Sequence, residues 1–172
     1  MASTNSSTKS KSSARALKSP HLAQPLSPTS SNYRLQQELR SFLLSPPPDL
    51  KVSVGRNLRI WHVKLTGRNV YEGEVFTLRI KYSNTYPRDP PSVYFVGDNI
   101  PEHEHVYSNG DICLSLLGSG WSPNLTGQGI AVSIQSILNS AGRKCRPIDN
   151  SGSVGRKPGE SQKDWIYHDD NC

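Results

Sequence analysis

Asn99-Ile100-Pro101-Glu102-His103-Glu104-His105-Val106-Tyr107-Ser108-Asn109-Gly110-Asp111-Ile112-Cys113-Leu114-Ser115-Leu116-Leu117-Gly118-Ser119-Gly120-Trp121-Ser122-Pro123 is the stretch around which the chain is organised. It holds two histidines, a tight-turn signal and one cysteine. Asn109-Gly110 is the dipeptide that a two-residue turn favours, because both central positions then need positive φ. Such a turn folds Ile112-Cys113-Leu114 back beside Val106-Tyr107, close to His103 and His105. A sulfur nucleophile is thereby expected among polar groups. Trp121-Ser122-Pro123 follows as an apolar anchor and a stop.

Downstream, Ile130, Ile134, Ile137 and Leu138 fall at i, i+4, i+7 and i+8, one face of a helix, with Thr126 as its cap. Gly127 and Gly129 weaken the first turn by about 1 kcal/mol each relative to alanine. From Gly142 the periodicity dissolves, and residues 151–172 are predicted to be a flexible C-terminal segment. Upstream, strands are predicted over 50–54, 58–66, 75–82 and 92–96. Phe76, Leu78 and Ile80 alternate with Thr77, Arg79 and Lys81, so one face is buried and the other wet. Val93 and Phe95 point inward on the fourth strand. Residues 67–73 connect the second strand to the third. Tyr86-Pro87-Arg88-Asp89-Pro90-Pro91 stays out of the ladder, since its prolines lack the amide donor. Short connections imply an antiparallel meander. Before it, Leu35, Leu39, Phe42 and Leu43 mark an amphipathic helix over 33–44, capped by Asn32 and ended by Pro46-Pro47-Pro48.

The chain has 172 residues, so one domain with tails is expected. Residues 1–31 contain ten serines and few large apolar groups. They cannot bury enough surface to offset their ordering entropy, and are predicted to be disordered. The folded core is expected over 32–150. Lys9, Lys11, Arg15 and Lys18 make the tail basic within a net charge of +6, and a solvated tail accounts for them. An acid-free, Ser-rich start is a feature of transit peptides, but Pro20, Pro25 and Pro28 interrupt any amphipathic helix there. Cys113, Cys145 and Cys172 form no C-x-x-C pair, and their odd number without an apolar signal segment indicates thiols in a reducing compartment. No run approaches the roughly 18–20 apolar residues of a membrane span. Neither membrane nor nucleic acid is expected as a partner. His103-x-His105 with Cys113 has the spacing of metal ligands, but lacks a clear fourth donor. No bound metal or cofactor is expected.

The central stretch resembles the active site of the ubiquitin-conjugating enzymes. That family carries His-Pro-Asn, a cysteine ten residues after the histidine, a leucine-rich step and Trp-Ser-Pro. Here His103 precedes Cys113 by ten residues, Leu114, Leu116 and Leu117 follow, and Trp121-Ser122-Pro123 closes the pattern. Tyr86-Pro87 with Pro90-Pro91 is similar to the family's proline-rich loop. The W-type members resemble the chain further, with His-Pro-His and a Trp-Tyr/Phe-His-Asp-Asp ending. Here His105 and Trp165-Ile166-Tyr167-His168-Asp169-Asp170 stand in those places. The resemblance implies an α+β ubiquitin-conjugating fold: N-terminal helix, four-stranded antiparallel meander, active-site loop, second helix. Many members add two further helices, whereas the W-type resemblance implies an irregular C-terminus.

The resemblance also implies the chemistry. Cys113 would accept ubiquitin as a thioester from an activating enzyme, which consumes the ATP, and pass it to a substrate amine. Such a carrier is expected to expose its thiol. His105 replaces the family's asparagine. Its imidazole can stabilise the oxyanion, act as a weak base that titrates where asparagine does not, or anchor the loop. His103 and Asn109 are expected to support the loop. Glu104 replaces the family's proline, which loosens the backbone. Asp149, in Arg146-Pro147-Ile148-Asp149, corresponds to the acidic residue facing the active-site gate; it would orient the amine, or mark a surface turn. Arg34 and Arg40 on the first helix, with Arg88, Ser122, Pro123 and Asn124, are the implied surface for the activating enzyme and a ligase of RING or U-box type. Arg88 stands where many relatives have phenylalanine, and Asn124 where alanine is common, so ligase choice does not transfer. W-type members imply an α-amino acceptor. The alternatives are lysine-directed transfer of ubiquitin or a related modifier, and a silent ubiquitin-binding variant, which Cys113 argues against. The expected location is cytoplasmic, nuclear or both.

Overall fold

The computed structural model describes residues 30–153 and 155–159. The serine-rich segment up to residue 29 and the Trp165-Ile166-Tyr167 patch lie outside the described residues.

Helix α1 spans Ser31–Leu44. Its cap is Ser30, whose backbone is extended and whose Oγ accepts from the Tyr33 amide at 3.1 Å. The expected cap, Asn32, lies inside the helix, and its Oδ1 accepts instead from Arg59 Nη2 at 2.8 Å. Leu35, Glu38 and Phe42 form the buried stripe. Leu43, expected on the packed face, is 60% exposed. The stripe runs i, i+3, i+7 through Glu38, which turns Leu43 away from the core.

The meander is as expected: β1 (Leu50–Val54), β2 (Ile60–Thr66), β3 (Val75–Lys81) and β4 (Ser92–Val96), antiparallel and in sequence order. Its register aligns Val52, Val63, Leu78 and Phe95 across the four strands. Trp61, Leu65, Phe76, Ile80 and Val93 share the inward face and are buried. A 3₁₀ turn, Asn69–Tyr71, lies in the β2–β3 connection and sends the buried Tyr71 ring inward. Its hydroxyl donates to the Glu102 carbonyl at 2.6 Å, just before the two histidines.

Helix α2 covers Gly127–Ser140. Thr126 caps it as expected, with Oγ1 accepting from the Gly129 amide at 3.1 Å. Ile130, Ala131, Ile134 and Leu138 are buried against the sheet side, and Ile137 is partly buried. Gly127 is required at the start, because a Cβ there would sit 2.0 Å from the Tyr82 hydroxyl and 2.9 Å from the Trp61 ring.

Glu38 is the polar hub of this core. One carboxylate oxygen accepts from the Tyr86 hydroxyl at 2.7 Å and from Arg34 Nε; the other accepts from the Gly127 amide at 2.9 Å. The charge thus meets the N-terminus of α2, where amides are otherwise unpaired. Arg34 also donates to the carbonyls of Pro123 and Leu125. One helix face therefore ties together α1, the proline-rich loop and the approach to α2.

After α2 the described chain is irregular apart from a 3₁₀ turn, Asn150–Ser153. Its end is nonetheless tied down, contrary to the looseness expected from composition. The Gly159 amide donates to Asp111 Oδ1 at 2.7 Å, and Ser92 Oγ donates to the Gly159 carbonyl at 2.6 Å. Among the described residues no helix is long and apolar enough to cross a membrane.

Candidate active site

The turn before Cys113 is built by the backbone. The Gly110 amide donates to the Tyr107 carbonyl, and the Tyr107 amide donates to the Asp111 carbonyl, both at 2.9 Å. The central pair is therefore Ser108 and Asn109 rather than Asn109 and Gly110. Only Gly110 has positive φ, +99°, so this is a longer loop closed by a left-handed glycine and not the two-residue turn expected. Two contacts explain the shift. Asn109 brackets Asp111, accepting its amide at 3.0 Å and donating to its carboxylate at 2.9 Å. Gly110 runs against β4, donating no side chain to the crowd; a Cβ would lie 2.2 Å from the Phe95 carbonyl oxygen.

The fold-back itself is found. Val106 bridges to Ile112, and the Cys113 amide donates to the His105 carbonyl at 2.8 Å. The thiol is not exposed as expected: Cys113 is 0% accessible. It shares a small buried cluster with Tyr107. The Tyr107 hydroxyl reaches both Asp149 carboxylate oxygens, at 3.1 and 3.0 Å. Burial, then this hydrogen bond, push the phenol well above its usual range, so it keeps its proton and donates. Asp149 is itself exposed. The Asn150 side chain accepts from the Ser108 amide at 2.8 Å, which joins the 149–153 turn to the tip of the Cys113 loop.

His103 is buried at 4% exposure, and both ring nitrogens are engaged. Nε2 lies 3.1 Å from the Ile137 carbonyl, and Nδ1 accepts from the His105 amide at 3.0 Å. A carbonyl only accepts, so the Nε2–H tautomer is selected and no lone pair remains for a metal. Burial, and then the neighbouring His105, hold its pKa below the ordinary 6.5. The His105 ring stacks on it with centroids 5.5 Å apart, and its Nδ1 is buried without a hydrogen-bond partner among the described residues. Among the described residues, no group of three or more His, Cys, Asp or Glu side chains is placed to hold a metal ion.

Three organising residues escaped the sequence reading. Arg146 donates to the carbonyls of Ile100, Pro101 and Val106 at 2.7 to 3.2 Å, clamping the segment that carries both histidines. This restores the rigidity that Glu104 in place of proline was expected to remove. Tyr107 covers the sulfur, and Glu38 holds the far loops. An arginine before proline and a tyrosine two residues after His105 were the available signals. A buried glutamate on an apolar stripe leaves none but its position.

The residues expected at a partner surface divide. Trp121 Nε1 donates to the Pro87 carbonyl at 3.0 Å, which holds Arg88 beside the loop of Ser122, Pro123 and Asn124. Arg88, Pro123 and Asn124 are exposed and Ser122 is half-buried. Arg34 is turned inward onto Glu38 and two carbonyls, so its guanidinium is committed within the fold.

Comparison with known proteins agrees with this architecture. The family pattern described as "Ubiquitin-conjugating enzyme" matches residues 34–161. The "Probable ubiquitin-conjugating enzyme E2 W" of Dictyostelium discoideum is 43% identical over 141 residues, covering 80% of this chain and 94% of that protein. The "Probable ubiquitin-conjugating enzyme E2 W-A" of Danio rerio is 44% identical over 147 residues, covering 81% and 96%. The crystal structure of a ubiquitin-conjugating enzyme E2 from Agrocybe aegerita superposes with a TM-score of 0.69 at 37% identity, over 74% of this chain and 95% of that one. An α+β core with a meander and a cysteine-bearing turn, matched along most of its length to these proteins, places the chain in the ubiquitin-conjugating enzyme family, as a transferase of the ubiquitin pathway.

Proposed function

We propose that ubiquitin is carried as a thioester on Cys113 and passed to the α-amino group of an acceptor polypeptide. In the first step the Cys113 thiolate attacks the thioester of the activating enzyme; a new C–S bond forms and that enzyme's cysteine leaves as thiolate. In the second, a neutral amine attacks the thioester carbon. The C–N bond forms, the C–S bond breaks, the electron pair leaves on Cys113, and the amine proton passes to water. His105 donates to the developing oxyanion. Asp149 orients the amine, and His103 and Asn109 hold the loop. No bound cofactor takes part, since the activating enzyme consumes the ATP.

The observation that supports an α-amino acceptor is the scarcity of base around Cys113. His103 is locked as a neutral tautomer with both ring nitrogens engaged, and so has no lone pair with which to take the amine proton. An α-amine of pKa about 7.8 is neutral in roughly a quarter of molecules at pH 7.4. A lysine of pKa about 10.4 is neutral in about one in a thousand. The difference, roughly 3.5 kcal/mol of deprotonation, need not come from the site. The exposed Arg88, Pro123 and Asn124, with Ser122, form the surface for a RING or U-box ligase in this reading, and the setting is the cytoplasm or nucleus.

Single-turnover discharge tests the acceptor. Loaded enzyme is mixed with a peptide bearing a free N-terminus, or with the same peptide N-acetylated and carrying lysine. The free peptide is expected to discharge it several-fold faster. Equal rates, or faster transfer to lysine, make this a lysine-directed enzyme.

A further inference from the structure

The face of the sheet turned away from the core is basic throughout. Lys51, His62, Lys64, Arg79 and Lys81 alternate with buried neighbours and point outward. None of the four strands contains an aspartate or a glutamate. The register sets Lys51 opposite Lys64, and His62 opposite Arg79. Like charges directly across a ladder destabilise it. Among the described residues no ion pair relieves Lys51, Lys64, Arg79 or Lys81. Arg79 donates from Nε to His62 Nε2 at 3.0 Å, and its guanidinium lies 5.9 Å from the centre of the Tyr94 ring. Its Nη pair, a fork that fits a carboxylate, has no acceptor among the described residues.

The last described residue lies on this same face. Ser92 Oγ donates to the Gly159 carbonyl at 2.6 Å, and a Cβ on Gly159 would sit 2.3 Å from the Tyr94 ring. Ser92 and Tyr94 alternate with the buried Val93 and Phe95, so both point outward. Gly159 therefore rests on Tyr94, in the row that continues through Arg79 to His62. From there the sequence runs Glu160-Ser161-Gln162-Lys163-Asp164-Trp165-Ile166-Tyr167-His168-Asp169-Asp170-Asn171-Cys172. It carries four acids against one lysine, together with two aromatic rings. The strands lack acids, and the segment that starts at their edge is rich in them.

We propose that residues 160–172 form an acidic strap across the outer face of the sheet, running from Tyr94 on β4 toward Lys51 on β1. The reach is sufficient. Three strand spacings amount to about 14 Å, which about five extended residues cover. Asp164 can then meet Arg79 and Lys64, and Asp169 and Asp170 can meet the lysines beyond. Trp165 and Tyr167 supply flat faces for the Arg79 guanidinium and for the lysine stems. The strap holds the place that any other acidic partner of this face would take, so such a partner must displace it. Its anchor is shared with the active-site loop, because the Gly159 amide donates to Asp111, two residues before Cys113. Nothing in this proposal depends on which amine accepts ubiquitin.

The test is paramagnetic broadening in amide NMR spectra of the full chain. A nitroxide is attached to Cys172 in the Cys113→Ser, Cys145→Ser protein, which leaves one thiol to label. The amide signals of Lys51, His62, Lys64 and Arg79 are expected to lose intensity several-fold relative to the reduced label. Val132, on the exposed side of α2, is expected to keep its signal. Reversing the exposed lysines, Lys51→Glu with Lys64→Glu and Lys81→Glu, is expected to abolish the broadening. Adding Asp164→Lys, Asp169→Lys and Asp170→Lys to that protein is expected to restore it, and concentrated salt to weaken it in the wild-type pairing. Sheet signals that keep their intensity overturn the strap, as does broadening that ignores the lysine reversal. A final arm mixes spin-labelled chains with isotope-labelled chains that carry no nitroxide. Broadening of the isotope-labelled chains assigns the segment to a second copy and overturns the intramolecular strap.

Discussion

The Cys113 turn and the paired loops around Pro87 and Pro123 are both irregular backbone, yet they are held in different ways. The turn is fastened by main chain: amide to carbonyl at Gly110, Tyr107 and Cys113, with Arg146 gripping three further carbonyls. The paired loops are fastened by side chains that converge on one buried carboxylate, Glu38. A frame made of backbone groups tolerates side-chain change along it, so unusual residues such as Glu104 and His105 are accommodated there. A side-chain hub concentrates risk in one residue.

The largest effect is expected at Cys113, the proposed carrier of the thioester. Cys113→Ser should convert the reductant-labile ubiquitin adduct into a reductant-resistant ester, while Cys145→Ser should charge as wild type does on non-reducing gels. Loss of charging in Cys145→Ser alone would move the active sulfur out of the main-chain frame. Next comes the hub. Glu38→Leu leaves the Gly127 amide without its acceptor and reduces the Tyr86 hydroxyl and Arg34 to their carbonyl partners, at a cost of about 3 kcal/mol in urea unfolding. Asn109→Ala, which removes side-chain bonds from the turn, should cost about 1 kcal/mol. Equal costs would erase the distinction between the two regions.

The smallest effect is a pH slope. His103 has a depressed pKa in the fold, with burial as the main cause. Above about pH 6.5 it is neutral in both folded and unfolded chains, and its contribution is fully present. As pH falls below that value the unfolded chain takes the proton first, and stability is lost until the folded pKa is passed. The urea midpoint should therefore fall between pH 7.5 and 5.5, and fall less in His103→Asn. His62, also depressed, acts in the same direction and is present in both proteins. Identical slopes would show that the ring titrates freely.

The elements were legible where a period existed. Val63, Leu65, Phe76, Leu78 and Ile80 alternate, and Ile130, Ile134 and Leu138 recur at helical spacing, so sheet and second helix emerged with near-correct bounds. The placement of Cys113 beside His105 was legible from a turn signal and a spacing. What was hidden depends on contacts between distant segments. Ser30 instead of Asn32 as cap depends on Arg59 claiming the asparagine, 27 residues away in sequence. The turn type depends on Gly110 meeting Phe95. The burial of Cys113 depends on Tyr107 and Asp149, which are 42 residues apart. No local pattern records such meetings.

The covered sulfur has a consequence for the durability of the uncharged enzyme. Peroxide and electrophiles reach a cysteine only as fast as its surface is open, and a buried thiol is inert between openings. Tyr107, latched to Asp149, therefore shields the sulfur proposed to carry ubiquitin. Cys145, partly open in a cavity that it lines with His105, meets an oxidant first. Damage then falls on the sulfur to which the proposed transfer assigns no role.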